Sequence, residues 1–386
     1  MILTILLSCW LLALFAQLVY IFFVYARTAW YEDESPEQPK NRPAVTVVVV
    51  ARNEQENLKE LLPVLDTQDY PDYEVLVMDD RSYDGTHDYL KEEAETFQRV
   101  RFIHIEHTPE HVTPKKYALT IALKKALHPV VLLTDADCRP EGPDWISGMI
   151  GQWRSSQQSI VLGFSPYFRR SGFLNFLIRS ETLFTAVQYL SLALAGRPYM
   201  GVGRNLMYRK QLFFDNRGFY THLSVMGGDD DLLMNEVANG DNTVVSLNPD
   251  TFVWSIPKET WSEWRRQKRR HLNVGRFYKP GHKWRLGLLT SSHVFSWLLG
   301  LPVGLWALWF GLTGQVDALM NPLLIGATGV FLLRLIAFWV VVGRISYRLA
   351  HTVHWGVISF MDVMLAVYYS FMGLIVLFTK RRKIVW

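Results

Sequence analysis

Residues 1–26 carry no charged side chain. A helix rises 1.5 Å per residue, so about 20 residues cross the ~30 Å hydrocarbon layer of a bilayer. Three further apolar runs, near 286–312, 318–342 and 354–378, reach the same length. A chain built this way is incompatible with a single water-soluble globule. It predicts an integral membrane protein with a folded middle and spanning helices at both ends. A cleaved signal peptide would want a basic start, a shorter apolar run and a small-residue cleavage site. None is evident, so the first run reads as a retained anchor.

The boundaries follow from the composition. Residues 1–27 form the anchor, and 28–43 a polar linker containing "YEDESPEQPKNRP". Residues 44–257 form a globular domain and 258–285 a basic helical segment. Residues 286–379 form the apolar C-terminal region, and 380–386 a basic tail containing "KRRK". Charge is nearly balanced, 40 Lys+Arg against 36 Asp+Glu, which excludes a typical nucleic-acid binder. Cys9 lies in the anchor and Cys138 in the globular part, so no disulfide is expected and a reducing compartment fits the globular part.

The middle alternates strand and helix patterns. "AVTVVVVARNE", "YEVLVMDD", "RVRFIHIE" and "PVVLLTDAD" read as strands, the first as one buried on both faces. "NEQENLKELLPVL", "THDYLKEEAETF" and "KKYALTIALKKAL" read as the helices between them. That order predicts an α/β domain with a parallel, doubly wound sheet, whose ligands bind beyond the carboxyl ends of the strands. Polar clusters stand at those ends: Arg52-Asn53-Glu54, Asp79-Asp80 and Asp135-Ala136-Asp137. In an extended segment Asp135 and Asp137 point the same way. Two like charges so close call for a cation between them, and a divalent ion with a phosphate is one answer. A solvated strand end is the other. There is no G-x-G-x-x-G and no Walker A lysine loop, which disfavours dinucleotide and P-loop sites.

The order of motifs resembles glycosyltransferase family 2, in its membrane-bound branch with cellulose, chitin and hyaluronan synthases and ceramide glucosyltransferase. "VVVVARNEQENL", "VLVMDDRSYDGT", "PKKYALTIAL", "LLTDADC", "GVGRNLMYRK", "GGDDDLL" and "QKRRH" carry the resemblance. It implies a GT-A (Rossmann-like) nucleotide-sugar domain, Mg²⁺ or Mn²⁺, a nucleotide-sugar donor with UDP expected, and inversion at the anomeric carbon. It assigns Asp137, with Asp135, to the metal. It puts Arg52, Glu54, Asp79 and Asp80 around the uridine and ribose. Lys115, Gln267 and Arg270 would face the diphosphate. The base would be Asp230 when "GGDDDLL" is aligned on the glycine, or Asp229 when aligned on Asp-Leu. Asn205 and His271 would lie at the acceptor.

Each role has a plainer alternative. Lys115 and its neighbour Lys116 could be solvated, and Asp231 could simply complement a helix N-terminus. In "PKETWSEWRRQKRRHLNVGRFYK", Thr260 and Glu263 form a capping box, and the basic, Trp-bearing helix that follows suits lipid headgroups. Residues 172–196 read as an interfacial amphipathic segment rather than a span. His271 stands where the family element usually ends in Trp, so less ring area would hold a glycan, and few sugars would be added per encounter.

The expected activity is a hexosyl transfer to a lipid or glycan on the cytosolic face of a bacterial inner membrane. Two readings compete: a polyprenyl-phosphate sugar transferase, and a non-catalytic subunit of a polysaccharide synthesis or export complex. Three full C-terminal spans would place the "KRRK" tail outside, against the positive-inside tendency. Asp362, in the middle of the last run, makes that run the one suspected of being re-entrant.

Overall fold

The computed structural model describes residues 2–32, 42–314 and 322–378. The chain divides into two compact units, Glu32–Tyr278 and a second formed by Met1–Tyr31 with Lys279–Trp386. The basic tail and most of the linker lie outside the described residues.

The second unit begins with α1, Ile2–Val19, which continues through a π-helical turn at Tyr20–Tyr25. In the first unit, nine strands are β1 Val45–Ala51, β2 Tyr73–Asp80, β3 Val100–Ile105, β4 Val130–Asp135, β5 Cys138–Pro140, β6 Ile160–Leu162, β7 Leu206–Arg209, β8 Thr243–Val245 and β9 Val253–Ser255. Seven form one sheet in the order β3-β2-β1-β4-β7-β6-β8, and β5 pairs with β9. β1, β2, β3 and β4 are parallel, as the alternation predicts. The sheet is not wholly parallel: β7 runs antiparallel to both β4 and β6. β7, in "GVGRNLMYRK", lies beyond the strand–helix alternation that predicts parallel pairing, so its direction does not follow from that alternation.

The helices that matter to the site are α2 Gln55–Asp66, α3 Thr86–Glu93, α4 Pro114–Lys125, α5 Phe173–Leu194, α6 Asp231–Val237 and α7 Trp261–Val274. Valines at 45, 47 and 49 lie on one face of β1 and share a core with the leucines at 58, 61, 62 and 65 of α2, while Val48 is buried on the other face. α5 is more buried than an interfacial helix: Leu183, Phe184, Val187 and Leu190 are almost fully enclosed, and Tyr189 donates to the Gly163 carbonyl at 2.7 Å. Only its start stays open, with Phe173 exposed.

In the other unit, α1 packs against α8 Pro280–Leu312 and α9 Pro322–Arg348, and both of these pack against α10 Ile358–Phe378. Among the described residues, four helices are long and apolar enough to cross a membrane. Tyr20 donates to the Arg285 carbonyl at 2.9 Å and Arg344 to the Ala29 carbonyl at 2.8 Å, so the end of α1, the start of α8 and the end of α9 adjoin. Each of these four helices gives one side chain to a buried polar node. Arg334 of α9 is ion-paired with Asp362 of α10 and lies 3.1 Å from both Gln17 of α1 and His293 of α8. His293 Nδ1 facing the guanidinium makes it the acceptor, leaving Nε2–H for the Asp362 carbonyl at 3.2 Å. Asp362, out of place by sequence, therefore has a charge partner inside the bundle, and α10 runs unbroken through it.

Candidate active site

Register brings the polar clusters together. Ala51 pairs with Asp79 and Val50 with Asp135, so β1, β2 and β4 end side by side. The loop after β1 is braced by the motif after β2: Asn53 N donates to Ser82 Oγ, Glu54 N to Thr86 Oγ1 and Gln55 N to Asp84 Oδ2. The Ser, Asp and Thr of "DDRSYDGT" thus hold the loop that carries Arg52 and Glu54.

Glu54 faces the acidic triplet. Burial raises its proton affinity, and the charges of Asp137 and Asp135 add to that, against an Asn57 hydrogen bond and Lys258. Asp80 pairs with Arg81 at 2.8 Å. Asp79 departs from the expected ribose contact. It is fully buried; one oxygen accepts from Ser82 N, the other lies 3.0 Å from His87 Nδ1 and 2.6 Å from His104 Nδ1. Its carboxylate is spent on the loop and on two imidazoles. These three side chains bring ligand-type atoms within 4.8 Å of one another, apart from the Asp135–Asp137 pair.

Lys115, in the first turn of α4, is no solvated residue. Its ammonium lies 2.8 Å from Asp135 and 3.3 Å from Asp229. Burial alone would weaken it, yet Asp135, Asp229 and Asp230 keep it firmly protonated. Asp135 mirrors this: burial opposes its charge, but Lys115, Arg204 and Arg270 outweigh burial and hold it below the ordinary carboxylate value. Lys116 turns inward, fully buried, and donates to the His222 and Val225 carbonyls at 2.6 and 2.8 Å. Burial pulls its pKa down to about 8. Asp137 has Lys258 at 3.6 Å, a cation the motif reading missed.

The acidic triplet after β7 is set by glycines. Gly227 and Gly228 hold φ of 79° and 76°, which a residue with a Cβ rarely adopts. Asp230 then caps α6, accepting from Asp231 N at 2.8 Å and from Gly203 N at 2.6 Å. Burial and the Asp229 charge raise its proton affinity, against Lys115 and the two amides. Asp231 points elsewhere, accepting from Tyr278 at 3.0 Å. Burial, then the Asp230 charge, push its pKa well up, against the Tyr278 hydrogen bond.

α7 starts with the expected capping box at Thr260 and Glu263 and brings Gln267 within 3.3 Å of the Tyr167 hydroxyl. Arg270 reaches far enough to act on Asp135. His271 is exposed on the same helix. Asn205 is a correction. It is fully buried, accepts from Trp145 Nε1 and donates to the Phe164 and Thr251 carbonyls, so it locks the core and offers nothing to an acceptor. Its neighbour Arg204 takes its place in the site. Its guanidinium stacks 4.4 Å above the Tyr167 ring, its charge acts on Asp135, and its Nη1 is buried without a hydrogen-bond partner. The signal was one position away, in "GVGRN".

The arrangement is an acidic pair and Glu54 facing Lys115, Lys258, Arg204 and Arg270, with a separate capped carboxylate beside them. It can hold an anion bridged by a hard cation and, next to it, accept a proton. Residues 46–215 match the family model for glycosyl transferase family 2. No curated protein matches the chain. Among solved structures, the mannosyltransferase PcManGT from Pyrobaculum calidifontis, in complex with GDP-Man and Mn²⁺, has a TM-score of 0.58 at 22% identity, covering 86% of this chain and 97% of that one. GalNAc-T7 with UDP, GalNAc and Mn²⁺ gives 0.42 at 16% identity, over 57% of this chain and 45% of that one. TarS residues 1–349 from S. aureus, with UDP-GlcNAc, gives 0.41 at 16% identity, over 86% of this chain and 92% of that one. The first likeness shows a GT-A-like fold; the other two carry no weight beyond the family match.

Proposed function

We propose that this chain, which carries a glycosyl transferase family 2 domain over residues 46–215, is a membrane-integrated inverting glycosyltransferase. It moves a hexosyl group from a nucleotide-sugar donor, with UDP expected, to a hydroxyl on a lipid or glycan. The catalytic domain faces the cytosol, in a bacterial inner membrane. The observation that carries the reading is Lys115 held between Asp135 of the acidic pair and Asp229 of the acidic triplet, which joins donor-side and acceptor-side motifs in one site.

The donor set fits Mg²⁺ or Mn²⁺. Asp137 and Asp135 supply hard oxygen ligands with Glu54 close by, and the buried, unpartnered Arg204 Nη1 suits an anion beside them. A bound divalent ion would neutralise charge on the leaving diphosphate. Lys115, Arg204 and Arg270 take up the rest of that charge, and Gln267 helps close over it. Arg52, Glu54 and Asp80 line the nucleoside. Asp230 accepts the acceptor's hydroxyl proton. It is less buried than Asp229 and has raised proton affinity, whereas Asp229 is buried and ion-paired with Lys115. The neighbour solved with GDP-Man and Mn²⁺ supports both a nucleotide-sugar donor and the divalent ion. His271, in place of a broad indole, favours addition of few sugars per encounter.

The test is a panel of radiolabelled UDP- and GDP-sugars incubated with membranes and Mn²⁺, followed by extraction of lipid products. Label transfer with nucleotide release supports the reading. Purified full chain that releases no nucleotide from any donor, with either ion, overturns it in favour of a non-catalytic subunit.

A further inference from the structure

The chain leaving Tyr167 runs out along β9, with Phe168 N bonded to the Ser255 carbonyl at 3.0 Å, and then presents two arginines before α5 begins. Arg169, Arg170, Ser171, Gly172, Phe176 and Arg179 line a cavity of about 490 Å³, inside the roughly 300–1,000 Å³ range of small-ligand sites. Three guanidinium-bearing side chains around one cavity repel each other. Burial and the charge of Arg169 together lower the proton affinity of Arg179. The acidic residue of α5, Glu181, is ion-paired with Lys268. Among the described residues, neither the Arg169 nor the Arg170 side chain has a hydrogen-bond or ion-pair partner.

An aromatic rim stands beside this positive cavity. Phe173 is 54% exposed and Trp261 45% exposed, with ring centroids 6.4 Å apart. Phe176, in the cavity wall, lies 6.3 Å from Phe173. Exposed Trp and Phe next to Arg169 and Arg170 is the composition of a headgroup-level surface. Residues 275–279 connect α7 to the apolar helix α8 along the chain. Near-balanced overall charge argues against nucleic acid as the partner.

We propose that the Arg169–Arg170–Arg179 cavity binds the phosphate of an anionic lipid headgroup, with Phe173 and Trp261 resting among the adjoining glycerol and acyl carbons. The site is separate from the acidic pair and does not depend on which sugar is moved.

The experiment measures binding of dihexanoyl phosphatidic acid, dihexanoyl phosphatidylcholine and inorganic phosphate to the purified full chain in neutral detergent, by calorimetry. Phosphatidic acid should bind at least tenfold more tightly than either of the others. Each arginine near a headgroup contributes about fivefold, so Arg169→Gln with Arg170→Gln should weaken phosphatidic acid roughly 25-fold. Phe173→Ser with Trp261→Ser should weaken phosphatidic acid and leave inorganic phosphate unchanged. All four positions are exposed, and an unchanged melting temperature shows that the variants fold. Equal binding of phosphatidic acid by the parent and the double-arginine variant overturns the proposal. So does inorganic phosphate binding as tightly as phosphatidic acid, which marks a free-anion site, or phosphatidylcholine doing so, which marks a non-specific greasy surface.

Discussion

Replacing Asp230 by Asn separates base chemistry from ligand binding. A positioned general base contributes about 10²–10⁴-fold, or about 2.7–5.4 kcal/mol of barrier at 1.36 kcal/mol per tenfold. The structure adds a second, smaller effect. Asp230 accepts from Gly203 N at 2.6 Å and Asp231 N at 2.8 Å, one amide on each oxygen. A carboxamide has one acceptor oxygen, so its NH₂ must face one of those amides. A buried donor left unmade costs about 1–3 kcal/mol. That is a loss of several degrees in melting temperature, and the folded fraction at 25 °C stays high. Donor affinity should stay within threefold, because Lys115, Asp135 and Asp137 are untouched, while labelled transfer falls by at least a hundredfold. The parent's rate should fall with decreasing pH along a limb lying above the ordinary carboxylate value of about 3.9, since burial and Asp229 raise the proton affinity of Asp230. The base works deprotonated, so activity is lost as pH drops through that pKa. In Asp229→Asn the limb should move to lower pH, because a like charge has gone. If Asp230→Asn keeps more than a tenth of the parent rate while Asp229→Asn is inactive, the assignment is wrong and Asp229 is the base.

Asp137→Asn should abolish Mn²⁺-dependent donor binding, since an amide is a poor ligand for a hard cation; normal turnover with Mn²⁺ would sink the metal assignment. Arg204→Met should cut donor affinity at least tenfold and leave melting temperature nearly unchanged, read by calorimetry with the preferred nucleotide. Asp362→Ala strands Arg334 inside the bundle of long apolar helices and should cost about 3–5 kcal/mol, seen as a large drop in melting temperature in detergent, whereas Arg334→Leu with Asp362→Leu should recover most of it. His271→Trp should lengthen products at excess donor; a ladder of long polymer from the unaltered single chain would instead refute low processivity.

Sequence alone determined the first four strands, the helices between them and the long apolar runs. Buried β-branched runs, leucines at helical spacing and charge-free stretches are local patterns, and burial follows directly from them, so β1 to β4, the intervening helices and the four long apolar helices were legible. The strand-end carboxylates were legible as a group, because parallel α/β order puts such ends together. What needed the tertiary structure was direction and partnership between residues far apart in the chain. Asn205 and Arg204 are neighbours in sequence, yet one is consumed by Trp145 and two carbonyls while the other reaches the acidic pair. Lys115 and Lys116 look alike in a row, and only packing sends one to Asp135 and the other to the carbonyls of His222 and Val225. Asp362 read as a fault in a membrane helix until Arg334, 28 residues away, turned out to face it. In each case the deciding term is a Coulomb or hydrogen-bond contact that depends on a few ångströms of three-dimensional distance, which one-dimensional spacing does not encode.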